Sequence, residues 1–152
     1  MNFEKRLEEL FIELPELPAP SGAVVPAVSA GKCLYLGNHY PYAEGKLTLR
    51  GRLGFELSVD QGVSAARYAL IQALSNLKSA AGSVNKVLRI VQLNVAVASA
   101  PDFRDHEKVA DGASQLLQDI FGSSGKHSRI VTGVQSLPQN ASVAVSLIVE
   151  LK

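Results

Sequence analysis

The run Lys86 to Ala98 places the tightest limit on the fold. Val87, Val91, Leu93, Val95 and Val97, with Arg89, fall on one face of an alternating strand, and Leu88, Ile90, Gln92, Asn94, Ala96 and Ala98 fall on the other. Both faces are too apolar for open water, so the strand must lie inside a sheet that is covered on two sides. Helices of the same chain can supply one cover. The other has to come from a partner.

Helices flank this strand in the sequence. Upstream, Ser58 and Gln61 have the spacing of a capping box, and Val63, Ala66, Leu70, Ala73, Leu74, Leu77 and Ala81 form an apolar stripe that Gly82 is placed to cap. A helix from about Val59 to Ala81 is predicted. Downstream, Asp102 or Asp105 suits the N-terminal dipole of a second helix that buries Val109, Ala113, Leu116, Leu117, Ile120 and Phe121 before Gly122. A short amphipathic helix over residues 3–14 opens the chain, with Pro15 stopping it, and the proline-rich stretch Pro15 to Gly22 reads as a strap.

Strands account for the rest. Val24 to His39 is rich in β-branched and aromatic residues and breaks at Ala30-Gly31, and Lys46 to Leu49 returns after a turn. The chain closes with a strand that Arg129 opens and another that sets Val143, Val145, Leu147, Val149 and Leu151 on one face. Strands, long helix, strand, helix, strands is the order of an α+β domain with two helices on one face of a mixed sheet. The closing strand's other face, Ala144, Ser146 and Ile148, suits close packing of another subunit, so a symmetric oligomer is expected.

Composition narrows the function classes. The 152 residues fit one domain, with residues 1–22 as its N-terminal helix and strap. Lys+Arg 15 against Asp+Glu 14 leaves no field to attract nucleic acid. Cys33 alone excludes an internal disulfide framework, and the lack of a secretory signal or a long apolar run points to a cytoplasmic protein without membrane partners. His39, His106 and His127 lack zinc-ligand spacing, and the glycine-bearing loops match no phosphate cradle, so neither metal nor cofactor is expected.

The stretch Arg129-Ile130-Val131-Thr132-Gly133-Val134-Gln135-Ser136-Leu137-Pro138, followed by the closing strand, resembles the reactive intermediate deaminase (Rid) family, also called YjgF-like or L-PSP endoribonuclease-like. The segment Gly51 to Gly62, Ala65-Ala66-Arg67, Ser99 to Phe103, Phe121-Gly122 and Val25 to Val28 are similar to that family too. The resemblance implies a chorismate mutase-like fold and a homotrimer with a cleft at each subunit interface. There, Arg129 would hold the carboxylate of a small imino or enamino acid, which active relatives hydrolyse to a keto acid and ammonia. Arg52, in its glycine-flanked loop, is the second candidate contact for an anion.

A guanidinium offers a planar fork of donors that matches a carboxylate bidentately, which lysine cannot copy. Hydrolysis of an imine also needs a group to move protons to and from water. Here the chain departs from its relatives: Ala144 and Ser146 stand where deaminating members carry acids, Val131 stands where a cysteine is frequent, and no tyrosine lies in Gly22 to Val25. Three readings stay open: an imine or enamine deaminase, a non-catalytic binder of a small carboxylate metabolite, and, against the near-neutral charge, an endoribonuclease.

Overall fold

A computed structural model describes residues 2–152. Its helices are α1 (Phe3–Glu9), α2 (Val59–Ala81) and α3 (His106–Phe121). Its strands are β1 (Ala27–Ala30), β2 (Cys33–His39), β3 (Tyr42–Ala43), β4 (Lys46–Leu47), β5 (Val87–Ala98), β6 (Ser128–Val134) and β7 (Val143–Leu151). Five strands form one sheet in the order β1-β2-β7-β5-β6, and β3 with β4 makes a separate small hairpin. Among the described residues only β5 and β6 pair in parallel, joined by α3 as the crossover.

The local signals act as expected at α2. Ser58 accepts from the backbone N–H of Gln61 and the Gln61 side chain accepts from that of Ser58, while Gly82 caps the far end at φ 90°. Both long helices lie on one face of the sheet, α2 over β2 and β7, α3 over β5 and β6. Their mutual approach is close because Gly112 of α3 has no Cβ to meet the carbonyl oxygen of Val63 in α2. Leu70, Leu74, Leu77, Leu93, Leu116, Leu117, Ile120 and Val145 fill the space between helices and sheet.

Two expectations need correction. The first is the face of β5: Val87, Ile90, Leu93, Val95 and Val97 point into the core, whereas Arg89 and Val91 do not. Register shifts against β7 between Val87 and Arg89 and between Ile90 and Gln92 each add a residue, which rotates the early part of the strand out of strict alternation. The second is the length of the first helix, which ends at Glu9 and not at Leu14. Phe11 turns to φ 58°, its N–H bonding to Glu8 and that of Ile12 to Leu7, so the chain closes in a Schellman motif before it reaches Pro15.

Helix α1 is docked to the end of the helix layer. Phe3 and Phe121 stack edge to face with centroids 4.9 Å apart, and the Asn85 side chain accepts from the backbone N–H groups of Phe3 and Glu4. Among the described residues, no helix covers the sheet's opposite face. Val28, Tyr35 and Ile130 are exposed there, beside half-buried Gln92, Asn94, Ser146 and Ile148. No helix among the described residues is long and apolar enough to cross a membrane.

Candidate functional site

Arg129 lies at the start of β6, the edge strand of the sheet, in register with Leu93. Paired residues of neighbouring strands point the same way, and Leu93 is wholly buried under the helices, so the arginine side chain leaves the sheet on the side of α3. There it meets a stripe of polar residues. Glu107, Asp111 and Ser114 follow one another at four and three residues, which sets them on one helix face.

The guanidinium is heavily engaged. Nη1 donates to Asp111 Oδ1 at 2.7 Å and to Ser114 Oγ at 3.1 Å, and Nη2 pairs with the Glu107 carboxylate. The Arg129 side chain is 21% exposed, against 73% for Glu107 and 66% for Asp111, so the acids reach in from solvent to a half-buried cation. Burial acts to lower the guanidinium pKa, but the hydrogen bonds and charges of Asp111 and Glu107 outweigh it and hold it above the usual value. Three bonds from five N–H donors leave two unspent among the described residues, one of them on Nε.

Ser114 is itself held from behind. His127 Nδ1 lies 2.6 Å from the Gly125 carbonyl, which can only accept, so in the neutral ring Nδ1 carries the proton. Nε2 then accepts from the Ser114 hydroxyl at 2.9 Å, which leaves the oxygen's lone pairs to face Arg129. Gly125, His127, Ser114 and Arg129 thus form one directed chain of hydrogen bonds. A polar hollow of about 650 Å³ opens beside it, lined by Asp111, Ser114, Gln115, Gln118, Lys126 and His127.

Arg52 lies elsewhere. The Leu53 N–H bonds to the carbonyl of Ala98, which pairs with Val134 at the far end of β6. Five residues of strand separate that end from Arg129, roughly 16 Å at the ordinary rise. The Arg52 guanidinium sits over the Phe55 ring, 5.1 Å from its centroid, and its backbone N–H donates to Glu56. A single chain does not bring the two arginines together.

Ala144 and Ser146 lie on the helix-free face, opposite Ala96 and Asn94 of β5. They contribute no ionisable group to it. Tyr42 lies outside the Arg129 cluster and donates its hydroxyl to the Gln139 side chain at 3.3 Å. His39 is buried between Gly37 and Asn76, and His106 bonds to Ser99. The residues that sequence reasoning missed are Glu107, Asp111, Ser114 and His127. The signal of the first three is the periodic polar stripe on α3, which by itself reads as a solvated helix face, whereas His127 lies beyond that helix, just before β6.

Comparison with known proteins agrees with this architecture. Residues 4–151 match the family described as "YjgF/chorismate_mutase-like, putative endoribonuclease". Protein TCP17 of Trypanosoma cruzi is 38% identical over 146 residues, covering 95% of this chain and 91% of that protein. A crystal structure from Shewanella oneidensis MR-1, described as that of "a putative endoribonuclease", superposes with a TM-score of 0.94 at 35% identity, over 99% of this chain and 100% of that one. TdcF of Escherichia coli, crystallised with bound serine, shares the fold at 18% identity and a TM-score of 0.61, over 89% of this chain and 93% of that one. With its mixed five-stranded sheet, two long helices and short N-terminal helix, the chain belongs to the YjgF/chorismate mutase-like (Rid, L-PSP) family.

Proposed function

We propose that the protein binds a small imino, enamino or keto acid by its carboxylate at Arg129, in a cleft formed where β6 meets a neighbouring subunit of a cytoplasmic homotrimer. The observation that carries this reading is the arginine itself: charged at any working pH, at the free edge of the sheet, with N–H donors unspent. The helix-free face supports the oligomer, because Val28, Tyr35 and Ile130 give it an apolar character that a second subunit would cover. TdcF, a relative in fold, holds serine, a ligand of the same size class. Arg52 belongs to the cleft only if a neighbouring subunit carries it there.

Binding without turnover is the favoured form of the proposal, since Ala144 and Ser146 supply no acid to activate water. Imine hydrolysis to keto acid and ammonia is the second reading, favoured by one observation: Glu107 and Asp111 are solvent-accessible carboxylates beside the guanidinium and could take a proton from water. RNA cleavage has no comparable support. The test uses a freshly generated 2-imino acid and follows keto acid release by wild type and Arg129→Ala. Release above background that the substitution abolishes establishes the hydrolase; carboxylate binding by wild type alone, without release, establishes the binder. A monomer in sedimentation would overturn the interface cleft.

A further inference from the structure

From the charges that surround Arg129 we infer that this site selects ligands carrying a cation beside their carboxylate, with Asp111 and Glu107 as the residues that set the selection. The inference rests on the proposed carboxylate site and asks which carboxylates it takes. Arg129 brings one positive charge, and the two side chains ionically paired with it bring two negative charges. A plain carboxylate that docks on the unspent donors therefore approaches a centre whose field is already neutralised and exceeded. It accepts hydrogen bonds from the guanidinium but meets like charge from both acids.

An ammonium or iminium group on the carbon next to the carboxylate changes the balance. With the carboxylate on the unspent donors of Arg129, such a group adds a positive charge beside the acids that face the arginine and gives them a second partner. Both acids are mostly exposed and so are free to swing from guanidinium to ligand without a buried charge being stranded. The neighbouring hollow, about 650 Å³, leaves room for a side chain and is lined by groups that hydrogen-bond, Ser114, Gln115, Gln118 and His127. Lys126 lines it too, but makes no ion pair with either acid among the described residues. Specificity here comes from repulsion of the wrong ligand as much as from attraction of the right one.

The experiment compares L-alanine with L-lactate, which differ by an ammonium for a hydroxyl, by titration calorimetry on the full-length protein. Wild type should bind alanine at least about tenfold more tightly, the scale of one exposed charge attraction added and one repulsion avoided. In the double variant Glu107→Gln, Asp111→Asn the preference should vanish and lactate binding should strengthen. Both substitutions conserve shape at exposed positions, and circular dichroism checks that the fold persists. Arg129→Ala should lose both ligands. Equal binding of alanine and lactate by wild type, with both lost in Arg129→Ala, overturns the selection and leaves the carboxylate site standing. If wild type binds neither, the carboxylate site itself falls, and this inference with it.

Discussion

Asp111 Oδ1 stands 2.7 Å from Arg129 Nη1, and this contact ties the second turn of α3 to the first residues of the edge strand that the helix precedes. The two residues lie 18 apart in sequence and meet only because α3 is the crossover between two parallel strands. The pair joins a half-buried cation to an acid that is 66% exposed, so its worth to folding is small by the usual measure of exposed ion pairs.

Asp111→Asn should accordingly lower stability by no more than about 1 kcal/mol. Urea denaturation of the variant against wild type measures it. A loss several times larger would mean that α3 and β6 depend on this pair to pack.

Stability should also fall as the solution is acidified through the histidine range. His39 is 7% exposed, with Nδ1 donating to the Gly37 carbonyl at 2.7 Å and Nε2 beside the Asn76 amide at 2.8 Å. Burial lowers its pKa below 6.5, outweighing the carbonyls of Gly37 and Val145, which favour the charged ring. The unfolded chain takes up the proton first, so this contribution is complete above about pH 6.5 and is lost as pH falls from there to the lower folded value. His39→Gln should flatten that part of the curve, seen as a smaller difference in urea midpoint between about pH 7.5 and about pH 5.5, either side of the reference histidine pKa of about 6.5. Glu4, whose pKa is held below 4.5 by Ser83, Lys78 and Val84 against the effect of burial, acts in a separate window below 4.5.

Phe11 offers a gain. It occupies the left-handed cap of α1 at φ 58° and is 94% exposed, so its ring contributes little while its Cβ is strained. Phe11→Gly should raise stability by about 0.5–1 kcal/mol, whereas Phe11→Ala, which keeps a Cβ, should not. Thermal melts of the two variants distinguish them.

Gly112→Ala should do the opposite, although alanine is the better helix former by about 1 kcal/mol. The new methyl would run into the carbonyl of Val63 in α2, and a backbone oxygen cannot rotate away. A net loss of about 1–3 kcal/mol is expected from forcing the two helices apart. A neutral result in urea denaturation would show that the helix pair can slide.

The bounds of α2, from the capping box of Ser58 and Gln61 to the left-handed Gly82, are legible in the sequence, because caps and stripes are written in residues only a few positions apart. The same holds for the apolar face of Val143, Val145, Leu147 and Val149, and for the family resemblance carried by Arg129 to Pro138. Alternation fixes faces only while the ladder stays regular, and the two bulges that turn Ile90 inward and Val91 outward depend on how β5 meets β7. The left-handed Phe11 is likewise illegible, since that cap is normally written as glycine. What the sequence by itself determined is the α+β order of elements and the arginine worth watching. Only the tertiary structure decided that arginine's company, because Glu107, Asp111, Ser114 and His127 become its neighbours, directly or through one hydrogen bond, when α3 folds back across the sheet.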